Sequence, residues 1–223
     1  MPSTKGKVVI TIDGPAGAGK STAAKELAQR LGFSYLDTGS MYRALTLKAL
    51  RQKVNLSDEQ ALVNLARKTT IDLKTDKNCR LRVFLDGRDV TKAIRSLKVT
   101  NHTFFAARAP AVRRILVSWQ RRIGRKNNSV VEGRDAGTVI FPRAARKFYL
   151  DADFKERARR RISELKAQGK KVQEAALKKE LQDRDRKDLT RLVGPLKKAD
   201  GAIVIDSTHL SAEEVVEKML GMM

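Results

Sequence analysis

The sequence predicts an α/β fold: a parallel sheet core flanked by helices, with an inserted lobe that contains a small antiparallel sheet. Three observations predict it. Five β-favouring residues, Val8 to Ile12, run into a glycine-rich loop and then a helix-periodic stretch, the pattern of a strand covered on both faces that feeds a helix. Short apolar runs recur at 33–37, 129–132, 147–150 and 202–206 between helix-periodic segments, as a doubly wound sheet requires. Two segments, 70–74 and 81–90, instead alternate apolar with polar residues, which marks antiparallel strands with one face in water.

The loop after the first strand decides the chemistry. Gly14-Pro15-Ala16-Gly17-Ala18-Gly19-Lys20-Ser21 fits G-x-x-x-x-G-K-[ST] at every specified position, and Thr22 follows. Such a loop turns successive backbone N–H groups toward a phosphate at the positive end of a helix dipole. Lys20, expected to stand exposed, would reach the β/γ-phosphates, and the Ser21 hydroxyl would ligate Mg²⁺. The core is therefore of the P-loop NTPase type.

The remaining elements follow in order. Thr22 to Leu31 places Ala24, Leu27, Ala28 and Leu31 on one helix face, and a second helix opens at Thr38-Gly39-Ser40 and runs through Met41, Tyr42, Leu45 and Leu50. Ser57 with Gln60 three residues on has the form of a capping box for a helix to Arg67. The alternating segments, separated by Lys77-Asn78, fall in an insertion of about 60–105. Pro110 starts a basic helix to Arg125, and a strand at 129–132 ends in Gly133-Arg134-Asp135-Ala136-Gly137-Thr138. Asp153 to Gln168 is a helix rich in arginine, Val172 to about Lys187 a second charged helix, and Ser211 caps a closing amphipathic helix. A single domain over 1–223 is expected.

Composition sets outer bounds. One cysteine, Cys79, excludes an intrachain disulfide framework, and neither a signal-peptide core nor a membrane-length apolar run is present. These features predict a soluble, cytoplasmic chain with no membrane partner. Forty-seven Lys+Arg against 25 Asp+Glu leave a net charge of +22, which suits phosphate-rich ligands or nucleic acid but also a merely solvated lysine-rich surface. His102 and His209 have no partner at metal-binding spacing.

With these residues in view, the chain resembles the bacterial cytidylate kinases, a branch of the nucleoside monophosphate kinases. The resemblance runs over nearly the whole length through GPAGAGKST (14–22), LDTGSMYR (36–43), PAVRRIL (110–116), EGRDAGTVIFP (132–142), ERARRR (156–161), RDRKDLTR (184–191) and IDST (205–208). It implies a core at about 1–38, 108–150 and 192–223, a monophosphate-binding lobe at about 39–107 and a helical lid at about 153–190, with ATP and Mg²⁺ at 14–22, CMP and dCMP as acceptors, no specific nucleic-acid partner, and a monomer. It also implies that Thr38 and Arg43 hold the monophosphate, with Tyr42 lining that pocket. Arg113 and Asp135 would read the cytosine edge, with Arg134 at the phosphates. Arg184 and Asp188 would contact the ribose, Arg191 the transferring phosphates, and Arg157 and Arg161 would serve as lid arginines. Glu132, where some relatives carry aspartate, is compatible with a water-mediated role near Mg²⁺.

The chemistry supports these roles separately. Phosphoryl transfer needs positioning and charge neutralisation rather than a general-base triad. Two nucleotides meeting phosphate to phosphate need intervening cations, and arginine grips phosphate at two points. Competing readings stay open at this stage. Arg157 and Arg161, at i and i+4, fit a solvated helix face, and Arg184 to Arg191 fits a surface ion-pair helix. Asp37 has the position of an N-cap. A kinase for UMP or another small acceptor, and a basic nucleic-acid-binding protein with a vestigial ATP site, are the alternatives. One departure bears on specificity. Six residues before Pro110, where the resemblance calls for a base-reading serine, stands Phe104, with Thr103 beside it.

Overall fold

The structure is a computed structural model that describes residues 7–75, 81–167, 169 and 171–223. Strand β1 (Val9–Asp13) lies at the centre of a five-stranded parallel sheet and is buried along its whole length. Around it the order is β2 (Ser34–Asp37), β6 (Ser129–Glu132), β1, β7 (Arg146–Asp151) and β8 (Ile203–Asp206). The chain leaves β1 toward one side and later continues to the other, so the strand order reverses at β1. In open α/β sheets the crevice at such a point, outside the carboxyl ends of the strands, is where ligands bind. Register pairs Ile12 with Glu132 and Asp13 with Tyr149, which brings the ends of β1, β6 and β7 to that edge together.

Helices α1 (Lys20–Leu31) and α8 (Ala212–Gly221) pack against each other. Ser211 caps α8 in a full capping box with Glu214, as its sequence predicts. Helix α2 (Thr38–Arg51) buries Met41, Leu45 and Ala49 without exposure. The basic helix is α5 (Pro110–Gly124), preceded by α4 (Leu97–Arg108). Helices α6 (Phe154–Ala167) and α7 (Glu174–Thr190) pair with each other.

The antiparallel sheet has the order β3 (Ile71–Thr75), β4 (Leu81–Leu85) and β5 (Arg88–Asp89). The alternating run 81–90 is therefore two strands rather than one. Asp86 and Gly87, with φ of 48° and 79°, make the tight turn between them, a conformation that an Asp-Gly pair adopts readily. The separator Lys77-Asn78 and Cys79 lie outside the described residues. Val83, Leu85 and Val90 share one continuous core with Leu45 of α2 and with Ile12 and Phe148 of the parallel sheet.

A second difference concerns α3 (Glu59–Arg67), whose N-cap is Asp58 rather than Ser57. The Asp58 side chain accepts from Ala61 N at 3.0 Å, while the Ser57 N–H goes to Asn55 Oδ1 and Gln60 turns to Asn64. Both residues are good caps; the Asn55 turn takes Ser57 out of position. Among the described residues, no helix is long and apolar enough to cross a membrane.

Candidate active site

The phosphate loop closes over the end of β1. Gly14 has φ of 148°, and a Cβ there would run into the Leu150 carbonyl, so only glycine lets β1 turn beside β7. Helix α1 starts at Lys20 behind Gly19, which has φ of 86° and no side-chain cap. Ser21 and Thr22 are exposed at the mouth of the loop. Lys20, expected exposed, is 6% exposed, and its ammonium donates to the Pro15 carbonyl. Burial, with Arg134 nearby, lowers its pKa to about 7. The ammonium is therefore held where its charge is disfavoured until an anion arrives.

Beside the loop lies a pair of carboxylates. Ser21 Oγ donates to Glu132 Oε2 at 2.8 Å, and the Tyr35 hydroxyl donates to Glu132 Oε1. Burial and the neighbouring Asp37 push Glu132 above the ordinary carboxylate range. Asp37 does cap α2, accepting from Ser40 N at 3.0 Å, and it also pairs with Arg43 at 2.6 Å. Although burial alone would raise it, Arg43 and Arg95 hold Asp37 low.

Facing these groups is an array of cations. Arg134 donates to Asp188 at 2.8 Å. Arg184, from the same face of α7, has no hydrogen-bond or ion-pair partner among the described residues. Its pKa falls to about 10 through burial, then through Arg134, with Arg43 and Arg161 adding repulsion. Asp188 is held low by Arg134 and Arg184 against its own burial. Arg161 pairs with Glu164 at 2.7 Å, whereas Arg157 is buried. Arg157 donates to Ala16 O at 3.1 Å and Ala152 O at 3.0 Å and pairs with Asp185, so it ties the phosphate loop to α6 and α7. It is not on a solvated face.

A second cluster sits deeper. Arg113 is 2% exposed, donates to Ala107 O at 3.1 Å and pairs with Asp135. Arg191 reaches the same carboxylate at 3.4 Å and also the Gly194 carbonyl. The Arg113 guanidinium lies 5.5 Å from the centre of the Tyr42 ring, whose hydroxyl burial raises to about 12. Thr38 Oγ1 donates to Glu132 O at 2.8 Å. Thr103 gives its hydroxyl to Val99 O at 2.8 Å, and the half-buried Phe104 ring meets Arg108 and, from α7, Lys187, each at 5.3 Å.

This geometry meets an independent result. The cytidylate kinase family profile matches residues 10–223. The chain belongs to the cytidylate kinase family. A cytidylate kinase of Caldanaerobacter subterraneus subsp. tengcongensis is 50% identical over 212 residues, 95% of this chain and 92% of the relative. One from a Geobacillus strain is 49% identical over 216 residues, 97% of this chain and 96% of the relative. Among solved structures, an uncharacterized protein from Eubacterium ventriosum has a TM-score of 0.50 at 13% identity, covering 97% of this chain and 98% of the other, a likeness of fold alone.

Within this cytidylate kinase fold, Lys20, Arg134, Arg184 and Asp188 interact electrostatically, with Arg43 acting on Arg184, and Arg113, Asp135, Arg191 and Tyr42 form a neighbouring charged cluster. Sequence reasoning gave no role to Arg160 or Ser207, which shape a cavity of about 540 Å³ behind the loop. Arg160 forks to Ser207 Oγ at 3.1 Å and Ser207 O at 2.6 Å, and Ser207 Oγ donates to Ala18 O at 3.1 Å. The block IDST was the available signal for it. Asp13, also passed over, is buried against the loop after β6.

Proposed function

We propose that the chain transfers the γ-phosphoryl group of ATP to CMP, and to dCMP, giving ADP and CDP or dCDP, in the cytoplasm and as a monomer. The observation that carries this reading is the crowding of buried cations beside the phosphate loop. Lys20 and Arg184 are both held below their ordinary pKa by burial and by each other's neighbours. Sites that crowd buried cations until their charge is disfavoured are suited to a ligand of opposite sign. A polyphosphate on residues 14–22 meets that condition.

In this reading a CMP phosphate oxygen attacks the γ-phosphorus, and the bond to the β-phosphate oxygen breaks as ADP leaves. Lys20, Arg134, Arg184 and Arg161 spread the charge that otherwise keeps the two nucleotides apart. Thr38 and Arg43 hold the acceptor phosphate. Arg113 and Asp135 present a donor fork and an acceptor to the cytosine edge, Arg184 and Asp188 face the ribose, and Arg191 steadies the Asp135 end. The segments at about 39–107 and 153–190 close over the cleft to exclude water. Arg157, bonded to Ala16 O, couples the phosphate loop to that closure.

The residues present also fit Mg²⁺. Glu132 and Asp37 are two buried carboxylates, and Asp37 raises Glu132, a repulsion that a divalent cation relieves. Ser21 Oγ would bind it directly and Glu132 through water. When bound it supplies charge neutralisation between the β- and γ-phosphates. A coupled ADP-release assay over CMP, dCMP, UMP and AMP tests the proposal. CMP and dCMP should show the highest kcat/KM; preference for AMP, or no turnover with any of the four, overturns it.

A further inference from the structure

Asp13 is the last residue of β1 and is 2% exposed. Its carboxylate accepts two backbone N–H groups from the loop that follows β6: Ala136 N reaches Oδ1 at 2.8 Å and Gly137 N reaches Oδ2 at 2.7 Å. These two amides open the π-helical turn Ala136–Ile140, so the carboxylate satisfies two donors that the turn itself leaves unpaired. The approach is close because Gly137 has no side chain. A Cβ there would lie 2.9 Å from Thr11 Oγ1, 3.2 Å from Ala199 Cβ and 3.3 Å from Asp13 Oδ2. The preceding residues are fixed from the same strand, since Gly133 N donates to Ile12 O at 3.1 Å.

Between those two anchor points lie Arg134 and Asp135. Arg134 points to Asp188 and the phosphate side of the cleft, while Asp135 points to Arg113 and Arg191 in the neighbouring cluster. We infer that Asp13 is a positioning residue for the acceptor nucleotide: by clamping Ala136 and Gly137 it sets where Arg134 and Asp135 stand. The inference rests on the CMP-kinase reading of the cleft. It adds to it a residue that touches neither nucleotide.

Asp13 stands in this position at a cost to itself. Lys20 faces it from α1, Asp135 from the clamped loop and Tyr149 from β7, and of these only Lys20 favours its charge. Burial raises its pKa to about 6 despite the two N–H donors. The stability linked to its protonated form is fully present below its ordinary pKa of 3.8 and is lost as pH rises through about 6. A group kept only for folding would be better served by a neutral acceptor.

The test is Asp13→Asn at pH 8. The amide can accept one N–H but turns its own NH₂ against the other. Loss of one such buried contact should lower kcat/KM for CMP about 30-fold, with the KM for ATP changed less than about threefold. The thermal midpoint should be equal to or above that of the wild type. Amide exchange at Ala136 and Gly137 should accelerate, a readout that needs no turnover. The inference is overturned if kcat/KM for CMP stays within threefold, if the ATP and CMP sides lose equally, if the midpoint falls in step with activity, or if the two amides stay protected. Should Asp13→Asn not fold, Gly137→Ala lifts the turn off an intact carboxylate and must show the same CMP-side loss. Wild-type CMP turnover, run alongside, separates failure of this inference from failure of the functional reading.

Discussion

Replacing Arg184 by methionine should make the protein more stable and a much poorer enzyme. Arg184, on α7, has no hydrogen-bonded or ion-paired partner among the described residues; burial, then Arg134, draw its pKa from 12.5 to about 10 even with Asp188 opposing the fall. That drop corresponds to about 3 kcal/mol against the charged form if water is excluded. The side chain is only partly covered, and screening in the open cleft reduces the cost to about 1 kcal/mol. For a chain of 223 residues, relief of about 1 kcal/mol raises the thermal midpoint by about 2–4 °C. Methionine keeps most of the aliphatic stem, so little packing is lost. The same change removes one charge-neutralising group from the transferring phosphates, and kcat/KM for CMP should fall about 100-fold or more. Differential scanning fluorimetry without nucleotide and a coupled ADP-release assay measure the two effects. A lower midpoint in Arg184→Met, or activity within threefold of the wild type, would refute the reasoning that the cleft stores repulsion for a polyphosphate ligand.

Two further changes probe the cleft. Lys20→Ala should reduce CMP phosphorylation about 1000-fold or more, because no other residue of the loop carries the charge to the β/γ-phosphates. Its thermal midpoint should nevertheless stay within about 2 °C, since burial already disfavours the Lys20 charge; a folded variant with near-normal turnover would show that the phosphate-loop assignment is wrong. Phe104→Ser should widen the preference for CMP over UMP in kcat/KM by up to about tenfold, the worth of one added buried hydrogen bond. Thr103→Val should leave that preference unchanged, because Val99 O already takes the Thr103 hydroxyl. Loss of selectivity in Thr103→Val alone would put Thr103 at the base instead.

What the sequence makes legible here is what local chemistry determines. The strand, glycine loop and helix at 9–31 announce themselves because period, glycine placement and capping all lie within a short window. The Asp86-Gly87 turn carries an equally local signal, yet the alternation on both sides of it conceals the break. The cap of α3 was ambiguous for a different reason. Ser57 and Asp58 are both competent, and the Asn55 turn chooses between them. Burial of Lys20 could not be read from the loop, since the groups that crowd it come from the end of β6 and from α7. Asp13 is likewise invisible as a functional residue, its partners being 123 and 124 positions away. Arg157 shows the limit of periodicity. Helical spacing placed it with Arg161 on one side, but only the fold reveals that Ala16 O and Asp185 take its fork.

The central claim is transfer of phosphate from ATP to a cytidine monophosphate, and product identification tests it most directly. The protein, incubated with ATP, MgCl₂ and CMP, should yield CDP and ADP in equal amounts by ion-exchange chromatography, with both falling about 1000-fold or more in Lys20→Ala. Appearance of ADP and inorganic phosphate while CMP remains unchanged would contradict the account.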